Sequence, residues 1–167
     1  MGGKNMIPMP ALAALFAEAG CSAVRTYIQS GNVVFEPPGK GAAGLSGLLA
    51  KRIEGRFGVS VPVVLRDAEE LARVLEGNPF LAEGASAESL HVMFLADEPA
   101  AAAVARLDAA RSPPDRFVVV GKDVYLSCPN GMARTKLTND YFDRTLATKS
   151  TIRNWRTVGK LLEMARG

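Results

Sequence analysis

The sequence contains few of the residues on which most metal and redox chemistry depends. It has two cysteines, one histidine and one tryptophan among 167 residues. Two cysteines do not make a disulfide framework, so Cys21 and Cys128 are expected to be unlinked thiols. A zinc site would need further ligands near His91, and two distant cysteines support that poorly. We therefore expect no metal site and no cofactor, and we interpret His91 as structural.

Long apolar runs, sorting signals and catalytic signatures are also absent. No stretch reaches the roughly 18 apolar residues that a membrane span needs. The apolar core of a signal peptide does not follow Lys4. We expect a cytoplasmic protein without a membrane partner. The sequence has no Gly-x-Ser-x-Gly elbow, no Walker A pattern and no Gly-x-Gly-x-x-Gly, so it identifies no catalytic residue and leaves open whether the chain is an enzyme.

We also expect that a first strand is missing. Residues 1–5 have the composition of a loop that follows a strand, and they lead directly into a helix that begins near Pro10. Because the rest of the chain alternates strands and helices, we expect either that the start is truncated or that another segment or chain fills the gap. The loop after a first strand is a common place for binding residues.

The charge that is present is distributed unevenly. The formal net charge is +3, with 48% hydrophobic and 22% charged residues, which is ordinary for a globular domain. Residues 134–167 carry a net +5, whereas residues 1–133 carry a net −2. A basic C-terminal fifth favours an anionic partner, and the alternative is a solvated helix face.

Apolar periodicity predicts an α+β protein. Helices are predicted over 10–19, 44–56, 68–76, 98–107, 138–146 and 151–165, and strands over 24–29, 33–36, 59–66, 90–95, 116–120 and 123–126. Asp67 and Glu70 form a capping-box pattern before the third helix. With a strand supplied upstream, residues 1–82 form one ferredoxin-like (βαββαβ-type) half. Residues 83–167 form the other, with antiparallel sheets in both halves and two C-terminal helices.

Several motifs resemble a known family, in order along essentially the whole chain. They are Gly-Gly-Lys-Asn (2–5), Thr-Tyr-Ile-Gln-Ser-Gly-Asn-Val-Val-Phe (26–35), Asn-Pro-Phe (78–80), Lys-Leu-Thr-Asn (136–139) and Thr-Ile-Arg-Asn-Trp-Arg-Thr-Val (151–158). The sequence resembles the bacterial domain-of-unknown-function 1697 family. The resemblance implies a cytoplasmic bacterial protein with two ferredoxin-like halves and no established reaction. It differs from the family in lacking the apolar strand, ending in Arg-Gly, that precedes the first motif.

Three regions supply candidate binding residues. The glycines of residues 2–5 allow backbone N–H groups to approach an anion, and the turn at 30–32 offers hydroxyl and amide groups. In the predicted last helix, Arg153, Arg156 and Lys160 share a face beside the packed face of Trp155. The candidate anion- or ligand-binding residues are Lys4, Asn5, Arg25, Ser30, Asn32, Lys136, Asn139, Arg153, Asn154 and Arg156. The alternative interpretations are a plain loop at residues 2–5, a tight turn at residues 30–32 and a core position for Trp155.

The leading hypothesis is a binding module for an anionic ligand, with nucleic acid as a candidate partner. Tyr27 and Phe35, or Phe117 and Tyr125, would stack bases if they faced outward. A second hypothesis is a small-molecule enzyme or sensor with a pocket between the two halves. A third is an assembly protein that uses an open sheet edge. The fold alone does not decide between these hypotheses, and the sequence does not indicate an oligomeric state.

Overall fold

The computed structural model describes residues 7–28, 31–39 and 43–167. They form an α+β fold with a two-stranded and a four-stranded sheet. The chain divides into two compact units, Met1–Leu65 with Glu163–Gly167, and Arg66–Leu162. This division falls earlier in the chain than the boundary near residue 82 that we expected between the halves 1–82 and 83–167.

The elements follow one another along the chain as α1 (Met9–Glu18), β1 (Ser22–Tyr27), β2 (Asn32–Glu36), α2 (Leu45–Phe57), α3 (Ala68–Glu76), α4 (Pro79–Ala82), β3 (Leu90–Leu95), α5 (Ala101–Val104), β4 (Arg116–Val120), β5 (Asp123–Ser127), α6 (Asn139–Leu146), β6 (Ser150–Asn154) and α7 (Trp155–Arg166). A 3₁₀ turn at Ala87–Ser89 leads into β3. Most of these elements lie within a few residues of their predicted positions.

The first unit buries the apolar stripes of α1 and α2 against the β1–β2 hairpin. Leu15 and Phe16 of α1 and Leu49 of α2 are at most 5% exposed. Phe16 meets Phe35 of β2 edge to face, with ring centroids 5.1 Å apart. This is a favoured aromatic geometry, and it fixes the hairpin against the helix.

The predicted strand over residues 59–66 is wrong. Val59, Val61, Val63 and Leu65 do pack on the first core at alternate positions, as the pattern indicated. Among the described residues, however, this segment belongs to no sheet. Alternation reports which side chains are buried, whereas a strand also requires a neighbour that pairs with its backbone.

The second unit is built on an antiparallel sheet with the strand order β4-β5-β3-β6. From β3 to β6 the elements run β-α-β-β-α-β along the chain, and β3 lies between β5 and β6. Met93 and Leu95 of β3 face one core, together with Phe142 of α6. Val92 lies on the other face, opposite Tyr125 of β5, whose hydroxyl donates to the Val74 carbonyl of α3 at 3.0 Å.

The capping box that begins α3 is confirmed. The Glu70 backbone N–H donates to Asp67 Oδ1 at 2.8 Å, and the Asp67 N–H donates to Glu70 Oε1 at 2.9 Å.

Two further helix predictions need correction. The helix predicted over 98–107 covers only 101–104, and its expected cap Asp97 instead accepts a hydrogen bond from Thr148.

The predicted last helix, 151–165, is wrong at its start. Residues 150–154 form β6, which pairs with β3, and α7 begins only at Trp155. The β-branched side chains of Thr151 and Ile152 favour a strand when a neighbour is available. Arg153 and Arg156 therefore do not share a helix face as predicted.

Arg66 is the buried cation of the second unit. Its side chain is 6% exposed and forms an ion pair with Asp123, with Nη2 and Oδ1 3.2 Å apart. Nη2 also lies 2.8 Å from the carbonyl oxygens of Leu95 and Lys122, at one end of the β3–β5 pair. The guanidinium lies over the Phe94 ring, 5.4 Å from its centroid. Burial with these partners makes Arg66 a structural charge.

Replacing Arg66 by methionine should lower the free energy of unfolding by about 3 kcal/mol, because it leaves buried acceptors without their donor. The measurement is urea denaturation followed by circular dichroism. Arg144→Met is the matched control: Arg144 and its partner Asp140 are 81% and 72% exposed, so its loss should be at most about 0.5 kcal/mol. Equal losses in the two variants would contradict a structural role for Arg66.

Candidate functional site

A pocket of about 240 Å³ lies at one end of β3 in the second unit. Its lining residues are Ala87, Glu88, His91, Asn154, Trp155 and Arg156. They come from two distant segments, the start of β3 and the junction of β6 with α7. The antiparallel register places His91 directly opposite Asn154, which brings the two segments together.

The junction of β6 with α7 is fixed by a helix cap. Asn154 is the last residue of β6, and its Oδ1 accepts a hydrogen bond from the Thr157 backbone N–H at 2.8 Å. Asparagine is among the preferred N-cap residues because its side chain satisfies one of the free N–H groups of the first turn. The chain therefore turns from strand to helix without a loop, and Trp155 and Arg156 lie beside the sheet.

An ion pair joins the two segments that line the pocket. Arg156 Nη2 donates to Glu88 Oε1 at 2.5 Å, and the two side chains are 76% and 66% exposed. A pair this exposed contributes little to stability. It does hold a guanidinium at the pocket, and the contact with Glu88 uses only one of the five N–H donors of arginine.

His91, another lining residue of the pocket, has an unsatisfied polar atom. Its Nδ1 is buried and has no hydrogen-bond partner among the residues that the structure describes. Burial lowers the pKa of His91 below its usual 6.5, and the Ser89 carbonyl acts weakly in the opposite direction. The imidazole is therefore neutral at pH 7. A buried polar atom without a partner is unusual in a folded protein and calls for an explanation.

The two candidate residues of the first unit that the structure describes, Arg25 and Asn32, form internal contacts. Lys4, Asn5 and Ser30 lie outside the described residues. Arg25 Nη2 donates to the Met164 carbonyl at 2.6 Å. Asn32 is 4% exposed and donates to the Tyr27 carbonyl at 3.2 Å, across the hairpin. The visible partners of Arg25 and Asn32 are thus backbone carbonyls of the protein itself.

In the second unit, the structure separates the remaining candidates. Lys136 is exposed, and its backbone N–H donates to Ser112 Oγ at 3.0 Å. Asn139 donates to Ser150 Oγ at 2.9 Å. Arg153 lies on the sheet face opposite to that of Asn154, because neighbouring residues of a strand alternate. Burial lowers the pKa of Arg153 below its usual range.

Of the seven candidates that the structure describes, Asn154 and Arg156 line the pocket. His91, Trp155 and Glu88 line it too, although the sequence analysis assigned structural roles to the first two and did not single out the third. Helical spacing of the C-terminal residues gave no hint of His91. The pairing of β3 with β6 brings His91 to these residues, although the two strands are far apart in sequence.

Cys21 and Cys128 are buried and free. Burial raises the pKa of the Cys128 thiol to about 11, and the charge of Asp115 adds to the shift, so little thiolate forms at neutral pH. Residues 7–28, 31–39 and 43–167 hold no group of three or more histidine, cysteine or acidic side chains that could bind a metal ion. Within the same ranges, every helix is too short or too polar to cross a membrane.

His91 should titrate with a midpoint below 6.5 because burial disfavours its charged form. It is the only histidine, so its ring signals in a proton NMR titration need no assignment. His91 of the unfolded chain therefore binds a proton at a higher pH than His91 of the folded protein does. The free energy of unfolding should decrease as the pH falls below 6.5, because protonation favours the unfolded state. This decrease should be smaller in His91→Gln. A midpoint at or above 6.5 would contradict the buried, neutral imidazole.

Comparison with known proteins places the chain in a family. No curated protein matches it. A solved structure, that of the conserved bacterial protein SP0830 from Streptococcus pneumoniae, superposes with a TM-score of 0.71 at 19% identity and covers 99% of this chain and 92% of that one. At this identity, the likeness concerns the fold alone. The family model described as "Protein of unknown function (DUF1697)" matches residues 1–125. The chain belongs to this family of proteins of unknown function, as its motifs indicated.

Proposed function

We propose that the protein is a binding module for a small anionic ligand, held in the pocket between His91 and Arg156. The observation that carries the proposal is the exposed guanidinium of Arg156, which lines a pocket together with His91 and Trp155. Its contact with Glu88 uses one of the five N–H donors of arginine, so further donors can bind an anion.

Arg156 is the residue that would hold the negative charge. A guanidinium binds carboxylate and phosphate groups through parallel hydrogen bonds. Glu88 competes with the ligand for these donors and places a like charge beside it. The ligand would therefore share Arg156 with Glu88, and the charge of Glu88 would limit the affinity.

We also propose that the protein is a bacterial cytoplasmic module of two ferredoxin-like halves, as the sequence analysis expected. In the second unit, the strand order β4-β5-β3-β6 and the β-α-β-β-α-β element order agree with a ferredoxin-like half that extends through β6. For the first half, the location in the cell and the bacterial origin, the support is the resemblance of the motifs alone.

Nucleic acid is the larger anionic partner that the sequence analysis considered. Tyr125 is 3% exposed, and Phe117 packs against the core of the second unit. The ring of Tyr125 is therefore not available to stack bases and that of Phe117 is only partly exposed, which favours a small anion over a nucleic acid for the second unit.

Titration with inorganic phosphate should change the fluorescence of Trp155, the only tryptophan in the chain and a residue of the pocket wall. Arg156→Ala should weaken binding roughly tenfold, because it removes a charge-assisted hydrogen bond. Glu88→Gln should strengthen binding, because it keeps an acceptor for Arg156 and removes the competing charge. Arg144→Ala, which removes an exposed arginine elsewhere on the second unit, should bind like the wild type.

Two results would contradict the small-anion proposal. One is a wild-type protein that does not respond to phosphate, or an Arg156→Ala variant that binds as well as Arg144→Ala. The other comes from a single-stranded RNA oligonucleotide titrated at roughly 50 and 200 mM salt. If it binds far more tightly than phosphate and weakens by orders of magnitude over that range, the partner is nucleic acid.

A further inference from the structure

We infer that the ligand of this pocket is an aromatic acid, with a flat ring attached to its anionic group. The inference rests on the proposed function, because it specifies the chemical group that is attached to the anionic group bound by Arg156. Two of the six lining residues, His91 and Trp155, carry flat rings, and Ala87 adds a methyl group. Rings and methyl groups make a surface that an aromatic ligand covers well by stacking or edge-to-face contact.

The two recognition elements are neighbours at the capped start of α7. Trp155 is the first residue of α7 and Arg156 the second, and the Asn154 cap fixes where this helix begins. Trp155 is half-buried, so its ring is partly available in the pocket. A ligand that contacts both side chains needs its ring and its acidic group close together, as they are in an arylcarboxylate.

The pocket has room for a single ring. Its volume of about 240 Å³ is below the roughly 300–1,000 Å³ of pockets that hold drug-sized ligands. A ring with one acidic group needs less room than a nucleotide with its sugar and neighbouring phosphates. The neutral imidazole of His91 suits such a ligand, because an uncharged ring packs against another ring without a charge to desolvate.

Benzoate and cyclohexanecarboxylate provide the test. They have the same charge and the same carbon skeleton, and they differ in that one ring is flat and the other puckered. Isothermal calorimetry should find benzoate bound roughly three- to tenfold more tightly by the wild type. In Trp155→Leu this preference should disappear, whereas Trp155→Phe, which keeps a flat ring, should retain most of it.

Inorganic phosphate, measured with the same three proteins, separates this inference from the proposed function. If phosphate binds but benzoate and cyclohexanecarboxylate bind equally, the anion site stands and the aromatic inference is overturned. A benzoate preference that persists in Trp155→Leu also overturns it. If phosphate and both carboxylates fail to bind, the proposed function itself fails. The comparison of the two carboxylates on the wild type holds even if Trp155→Leu does not fold.

Discussion

The pairing of β3 with both β5 and β6 is the constraint on which the second unit depends. One register places Leu126 and Asn154 on either side of His91, and Val124 and Ile152 on either side of Met93. Because side chains alternate along each strand, this register decides which face of the sheet meets the α6 core and which meets α3. A slip by one residue would exchange the two faces, so burial of both specifies the register strongly.

The candidate site follows from that register and from one cap. Asn154 is at once the cross-strand neighbour of His91 and the N-cap of α7. A residue with both roles brings the first turn of the helix to the end of β3. The ion pair of Arg156 with Glu88 joins the two segments that line the pocket. An exposed pair of this kind is worth at most about 1 kcal/mol. Arg156 can therefore turn towards a ligand at little cost in stability.

The sequence predicted well those elements whose signals are local. The capping box of Asp67 and Glu70, the strand Leu90–Leu95 and the β4–β5 hairpin are all present, because capping, alternation and tight turns depend on residues a few positions apart. It failed where the outcome depends on a distant partner. Residues 59–66 show strand-like burial but belong to no sheet among the described residues, and residues 150–154 join a sheet although helical spacing continued through them.

The sequence by itself determined the family, the α+β class and most of the helices and strands, because each is encoded in short motifs and periodic patterns. It also supplied Arg156 as a candidate through the charge of the C-terminal segment, and Asn154 as a polar group beside Arg153 that could hold a phosphate or a carboxylate. Only the tertiary structure decided that these two residues share a pocket with His91 and Trp155 while Arg153 lies on the opposite face. The physical reason is that the pairing of distant strands sets which side chains meet, and no local pattern records that pairing.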